Sequence, residues 1–314
     1  MTRILVVAGP TATGKSGAAI ALAQALDGEI VSADSVLVYG GFDVGSAKPT
    51  PAERAGVPHH VIDVLDPEEH VDAVRYAAIG DDAITAIAAR GRLPIVVGGT
   101  GLWIRALVRG LVTVPPVDPD VRARLEREAD TAGTPALHAR LATVDPASAA
   151  KVHANDRLRV VRALEIFEQT GRPASELRRA HALGAPRYDN LFVVLEEPKE
   201  VLAARITART RAMIEAGLPE EVRELLARHD AGVRPFGAVG YAEMVAHVRD
   251  GVLLDETERR IVKSTRVYAR RQRLWWKGEP GVHVRTTADA LRGAESVAEL
   301  ATWRDRSTHS ATAR

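Results

Sequence analysis

The sequence predicts an α/β fold, a parallel sheet covered by helices on both faces, with an inserted all-helical subdomain. Three observations predict it. Short β-branched runs alternate with helical patterns through the first third of the chain. A Gly-rich turn ending in Lys15-Ser16 separates the first strand from the first helix, which makes the sheet P-loop nucleoside-triphosphatase-like. From Pro115-Pro116 to about Leu183 the pattern turns helical, rich in Ala, Arg and Glu, with no strand in it.

Taken in order, Ile4 to Ala8, Glu29 to Ala33, His60 to Val64 and Pro94 to Val97 read as strands, with helices over Ala18 to Leu26 and Ala73 to Arg90. The helical insertion covers residues 116–183. Asn190 to Leu195 reads as a buried strand, followed by a helix from about Pro198 and a helical C-terminal region. The catalytic core is therefore discontinuous, residues 1–115 with 184–304, and the small, polar stretch 305–314 is expected to be a flexible tail.

With 314 residues, 46% hydrophobic and 26% charged, the chain has the composition of a globular protein and can fill a sizeable core. The absence of cysteine excludes disulfides and thiolate metal sites and points to a reducing compartment. The formal net charge of +1 excludes neither a nucleic acid nor an acidic substrate, because such footprints are local patches. No apolar run approaches the ~18 residues of a membrane span, so a cytoplasmic protein without a membrane partner is expected. A monomer is expected as well.

Gly9-Pro10-Thr11-Ala12-Thr13-Gly14-Lys15-Ser16 fits G-x-x-x-x-G-K-[ST] in its required context, strand before and helix after. Glycines let backbone N–H groups curl around phosphoryl oxygens, and the helix N-terminus adds partial positive charge. Lys15 supplies a point charge, and the Ser16 hydroxyl is the candidate ligand for Mg²⁺. The loop does not say which polyphosphate it holds, since a nucleotide and a diphosphate ester present similar oxygens.

A P-loop nucleotidase would offer an Asp at the end of an apolar strand, yet Pro94 to Val97 runs into Gly98-Gly99-Thr100-Gly101. The nearest acid is Asp34, at the tip of the second strand. Ligands bind at that edge of open α/β sheets, so Asp34 and Thr100 should both face the phosphate site. The alternative is that Asp34 merely caps the turn beyond it.

These residues resemble one family, the bacterial tRNA dimethylallyltransferases (tRNA isopentenyl-diphosphate transferases). The resemblance rests on the loop at 9–16, Ser32-Ala33-Asp34-Ser35 with Val38-Tyr39, Asp43-Val44-Gly45-Ser46-Ala47-Lys48-Pro49 and Pro58-His59-His60. It continues through Gly98-Gly99-Thr100-Gly101-Leu102, His153-Ala154-Asn155-Asp156, Arg162-Ala163-Leu164-Glu165, Val239-Gly240-Tyr241 and Thr265-Arg266 to Arg271-Gln272. The blocks run in order over nearly the whole chain. Ala154, Ser46, Trp103 and Leu274 depart from the family's usual Pro, Thr, Tyr and Thr. None of these removes a group with a chemical role.

The resemblance implies transfer of the dimethylallyl group of dimethylallyl diphosphate to N6 of the adenosine next to the anticodon, adenosine-37, with release of diphosphate. It implies Asp34 as the catalytic base, Thr100 at the tRNA contact, and Arg209 clamping the diphosphate opposite the P-loop. Arg205 shares a helix face with Arg209 by i, i+4 spacing. The resemblance further implies tRNA contacts at Ser35, Val36 and Leu37, at Arg122, and over Leu158, Arg159, Val160, Val161 and Arg162. Contacts at Gly237, Ala238, Val239, Gly240, Tyr241 and Ala242, and at Arg271 and Gln272, complete the set.

Independently, Arg259 to Lys277 carries eight basic residues and no acid, behind an apparent capping box of Asp255 and Glu258. At 100° per residue, Arg259, Lys263, Arg266, Arg270, Arg273 and Lys277 fall within about 40° of one line. Ile261, Thr265, Tyr268, Gln272 and Trp275 take the opposite side. Such a stripe can follow a phosphate backbone, and Arg157, Arg159, Arg162, Arg172, Arg178 and Arg179 form a second basic group in the insertion. His59 and His60 read as local hydrogen-bonding groups, and Trp275 and Trp276 as packing residues. The rival readings are an adenylate isopentenyltransferase acting on free nucleotides and a P-loop small-molecule kinase.

Overall fold

The computed structural model describes residues 1–112, 114–181 and 185–306. The chain begins β1 (Arg3–Ala8), α1 (Lys15–Ala25), β2 (Gly28–Ala33), β3 (His59–His60), α2 (Ala73–Ala89), β4 (Leu93–Gly98) and α3 (Gly101–Arg109). Helices α4 (Pro119–Ala132), α5 (Thr134–Val144), α6 (Pro146–Ala149), α7 (Arg157–Thr170) and α8 (Ala174–His181) follow. Then come β5 (Asp189–Leu195), α9 (Lys199–Glu215), α10 (Leu218–Arg228), α11 (Tyr241–Asp250), α12 (Leu254–Lys277), β6 (Val284–Thr286), α13 (Ala288–Leu291) and α14 (Ala294–Asp305).

The chain divides into two compact units, Met1–Arg109 with Pro186–Arg314, and Gly110–Ala185. The sequence placed the boundaries at 115/116 and 183/184, the second of which lies outside the described residues, as does 307–314 of the expected tail. Asp305 is the last residue of α14 rather than the start of a tail.

In the first unit the strands form one parallel sheet in the order β3-β2-β4-β1-β5-β6. Every residue of β2 and β4 is buried, because helices cover both faces and leave no side that polar residues could occupy. On one face Leu5, Val7, Ile30, Ile95, Val97 and Val193 pack under Ala18, Ala19 and Leu22 of α1 with Leu291 and Leu300. The register positions the site. Ala8 lies opposite Gly98, and Gly98 opposite Ala33, so Gly9, Gly99 and Asp34 leave neighbouring strands at one level.

Two strand expectations need correction. The stretch His60 to Val64 pairs with β2 only through His59 and His60. Beyond them Val61 and Asp63 take positive φ (61° and 56°), a conformation that ends a strand. The N–H groups of Asp63 and Val64 instead donate to the carbonyls of Leu37 and Val38. The other is β6, a short exposed edge strand within the region read as helical. The two histidines make hydrogen bonds as expected, His59 Nδ1 to Val57 O at 2.8 Å and His60 Nε2 to the Glu29 carboxylate at 2.6 Å.

The second unit is all helical. Leu125, Leu137, Leu141, Val160, Val161 and Leu164 form its core. Fully buried Glu165 ties α4 to α7, accepting from Arg122 Nη2 at 2.5 Å and from the Asp118 N–H at 3.1 Å, with Arg162 Nη1 at 3.1 Å.

Candidate active site

The P-loop opens where β1 ends. Ala12 (φ 65°) and Gly14 (φ 83°) turn the chain left-handed, which aims successive N–H groups inward and leads into α1 at Lys15. Thr13 is buried and its hydroxyl donates to Pro10 O at 2.8 Å, bracing the loop from within. Lys15 Nζ donates to the same carbonyl at 2.6 Å. Burial, helped by nearby Arg209 and opposed by Asp34, pulls the Lys15 amine down to about 7.

Asp34 follows β2, where it caps the turn beyond it and also lines two cavities. Its Oδ1 accepts from the N–H groups of Val36 (2.9 Å) and Leu37 (3.4 Å), so the carboxylate caps the turn. Oδ2 carries no hydrogen bond among the described residues. Thr100 Oγ1 accepts from the Ser35 N–H at 3.3 Å, which draws the tip of β4 against the Asp34 turn. From the opposite side α9 delivers Arg209, whose Nη2 donates to Ser46 O at 3.2 Å and whose Nη1 lies 3.5 Å from Thr11 Oγ1. Burial lowers the Arg209 pKa, and Asp34 opposes that.

Two cavities meet here. The smaller, about 120 Å³, has Lys15, Ser16 and Thr11 at one end and Ile30, Leu37, Ile62 and Val97 among its other walls. The larger, about 290 Å³, is lined by Ser35, Val36, Ile206, Met213, Ile261 and the loop Gly237 to Tyr241. Thr11, Asp34, Ser46, Arg209 and Tyr268 belong to both. A shallow opening beside Ala12, Gly14, Lys15 and Ser16 is bounded by Arg205, which also pairs with Glu197 at 3.2 Å.

The sequence-predicted residues Thr11, Ala12, Lys15, Ser16, Asp34, Ser35, Val36, Leu37, Arg209 and Gly237 to Tyr241 are thus gathered around one space. Ala242 and Arg271 are exposed. Two of the expected tRNA contacts, Val160 and Val161, are corrected. Both are buried in the core of the insertion and have no surface to offer. The Arg122 guanidinium is engaged by buried Glu165. Leu158 and Arg159 are exposed, with Arg159 paired to Asp156. Arg162 is tied to Glu165 and to Pro115 O. Tyr241 is fully buried, its hydroxyl donating to Glu221 Oε1 at 2.7 Å.

Gln272 is buried and lines the smaller cavity. Its Oε1 accepts from the Thr11 N–H at 2.9 Å and its Nε2 donates to Gly99 O at 3.0 Å, so α12 buckles the P-loop to the tip of β4. A Cβ at Gly99 would lie 2.2 Å from Gln272 Nε2, so any larger residue there would have to displace that amide. Helix α12 starts at Leu254 without a side-chain cap, so Asp255 and Glu258 form no capping box; Glu258 pairs with Arg211 at 3.3 Å. Sequence reasoning missed Ser46, Thr265 and Tyr268 as lining groups. The signal was the α12 face opposite the basic stripe, where burial raises the Tyr268 pKa and its hydroxyl faces Thr100 and Gln272. Trp276 is buried and Trp275 lies under the Arg105 guanidinium at 4.3 Å, so both pack as expected.

Comparison with known proteins agrees with this geometry. A family model described as IPP transferase matches residues 37–279, and one described as isopentenyl transferase matches residues 2–64. A tRNA dimethylallyltransferase from Anaeromyxobacter sp. (strain K) is 55% identical over 89% of this chain and 92% of its own. One from Myxococcus xanthus (strain DK1622) is 49% identical over 88% and 90%. The crystal structure of the tRNA isopentenylpyrophosphate transferase of Bacillus halodurans superposes with a TM-score of 0.70 at 34% identity, over 96% of this chain and 95% of that one. A eukaryotic dimethylallyltransferase acting on tRNA gives 0.78 at 28% identity, over 96% and 78%. A family model spanning most of the sequence and relatives this similar over nearly their whole length place the chain in the IPP transferase family.

Proposed function

We propose that this protein transfers the dimethylallyl group of dimethylallyl diphosphate to N6 of adenosine-37 in tRNA, forming N6-dimethylallyladenosine and diphosphate. The observation that carries the reading is the meeting of two chambers at Asp34 and Arg209. One has a cationic phosphate cradle at one end and an apolar wall of Ile30, Leu37, Ile62 and Val97, which suits an isoprenyl diphosphate. The other, lined by Ile206, Met213 and Ile261 and by a loop, suits a base swung out of an anticodon loop.

The chemistry assigned to each residue follows from charge. As the allylic C–O bond breaks, its electron pair leaves with the diphosphate. The P-loop amides, Lys15 and Arg209, held in place before reaction, stabilise that growing charge. The N6 lone pair forms the new C–N bond. An adenine amine is a weak nucleophile, so Asp34, through Oδ2, accepts the proton N6 sheds. The Thr100 hydroxyl, beside Ser35, orients the amine. Ser16, exposed in the first turn of α1 and lining the smaller chamber beside Lys15, is the residue that would hold Mg²⁺. Bound there, Mg²⁺ would add Lewis-acid stabilisation of the leaving diphosphate.

No described helix is long and apolar enough to cross a membrane. Incubation of the protein with tRNA and dimethylallyl diphosphate should give N6-dimethylallyladenosine on nucleoside analysis, with one diphosphate per product. Folded protein that makes none, or that prefers AMP to an anticodon stem-loop in competition, overturns the reading.

A further inference from the structure

We infer that Glu221 of α10, which lines neither chamber, is a positioning residue that sets Arg209 by pinning the segment Asp43 to Ser46. The inference rests on the proposed function for its readout. One carboxylate collects four donors. Oε2 accepts from the N–H groups of Asp43 (2.9 Å) and Val44 (2.6 Å), while Oε1 accepts from the Gly45 N–H (3.1 Å) and the Tyr241 hydroxyl (2.7 Å). Successive backbone N–H groups turned to one point form an anion-binding concavity, and here the anion is part of the protein.

The pinned segment matters for where it ends. The next carbonyl, Ser46 O, accepts from Arg209 Nη2 at 3.2 Å, and Ser46 lines both chambers. Among the described residues Arg209 has no carboxylate of its own to fix it: the Asp34 charge acts at a distance and its other nitrogen only grazes Thr11 at 3.5 Å. Its aim therefore depends on that carbonyl, and the carbonyl on Glu221. The segment also fits tightly. A Cβ at Gly45 would fall 2.6 Å from Tyr241 Cζ, and Phe42 packs edge-on to Tyr241 at 4.9 Å between ring centroids. Lys48 Nζ donates to Tyr39 O (3.0 Å) and Asp43 Oδ1 (2.6 Å), so the Asp43 end of the segment is held a second time.

Glu221→Gln preserves shape but brings an N–H₂ donor against donors. Hydrogen bonds to a charged group predict a fall in kcat/KM of about 10- to 100-fold. A double-mutant cycle with Arg209→Ala is the decisive arm, because a residue acting through Arg209 costs nothing further once Arg209 is gone. The expected result is a large loss from Glu221→Gln in the native background and less than about twofold in Arg209→Ala. Equal losses in both backgrounds, or no loss in the first, overturn the inference. If Glu221→Gln does not fold, Tyr241→Phe removes one donor only, and its smaller loss should likewise vanish in Arg209→Ala. Wild-type protein that makes no N6-dimethylallyladenosine would sink the proposed function instead, so the two failures are distinct.

Discussion

Two sets of basic residues differ in one physical respect: whether a carboxylate already answers them. In the helical insertion most arginines already face a carboxylate, although Arg178 bonds only to Ser148 and Arg127 and Arg179 have no carboxylate partner among the described residues. Arg122 pairs with Glu165, Arg140 with Glu128, Arg157 with Glu126 and Asp130, Arg159 with Asp156, and Arg172 with Glu176. On α12 the ion pairs stop near its N-terminus, where Glu256 takes Arg259 and Arg260. Beyond it Lys263, Arg266, Arg270, Arg273 and Lys277 have no carboxylate partner among the described residues. The same holds for Lys15 and Arg209 at the chambers. A paired arginine has surrendered most of its field, whereas an unanswered cation draws an external anion and releases counterions when it binds one. The sequence shows two basic groups, and they differ in how far they are paired: most of the insertion's arginines face a carboxylate, while α12 beyond Arg260 has none among the described residues.

The largest effect is expected where Asp34 meets the two unpaired cations. If Asp34 near Lys15 and Arg209 does chemistry rather than packing, Asp34→Asn should lower single-turnover rate by about 10²–10⁴-fold. The dissociation constant for tRNA should stay within about twofold, as loss of a base leaves substrate contacts intact. A lost fold with no specific rate effect would put Asp34 on the structural side. In the insertion the reverse is expected. Glu165→Gln leaves two arginines facing a neutral group in a buried position and should destabilise that unit by about 3–5 kcal/mol in chemical denaturation.

A third outcome concerns pH. Lys15 titrates near 7 in the free protein, and a bound diphosphate would raise that value. The complex then holds more protons than the free protein above pH 7, so affinity for dimethylallyl diphosphate should fall as pH rises, by up to about tenfold per unit. Lys15→Ala should flatten the profile, and buffer-dependent binding enthalpy at pH 8 measures the proton taken up. The smallest effect is the most discriminating for the two basic groups. Lys263→Gln or Arg270→Gln should reduce the slope of log affinity for tRNA against log salt by about 0.7–0.9 each. Arg157→Gln, already paired, should change it far less.

Some of this was readable in residues alone. The P-loop and Asp34 were legible because their chemistry depends on spacing within a few positions, and β1, β4 and β5 because burial on both faces writes a nearly continuous apolar run, which Glu29 and Ser32 interrupt in β2. Other features depend on partners far along the chain. Gln272 reaches Thr11 and Gly99, and no local pattern tells an inward amide from an outward one. Glu221 looks like an ordinary helix-start acid until Asp43 to Gly45 fold against it. The error over Val160 and Val161 was avoidable. A continuous run on a helix cannot all face one way, and Val160, Val161 and Leu164 already mark the buried stripe of α7.

The most direct measurement uses dimethylallyl diphosphate carrying ¹⁸O in the oxygen that bridges carbon and phosphorus. Alkyl transfer predicts the label in released diphosphate and an unlabelled dimethylallyl group on tRNA. Label appearing in dimethylallyl alcohol or monophosphate, with a phosphoryl group passed to another acceptor, would contradict the assignment of the cradle as the seat of a leaving group.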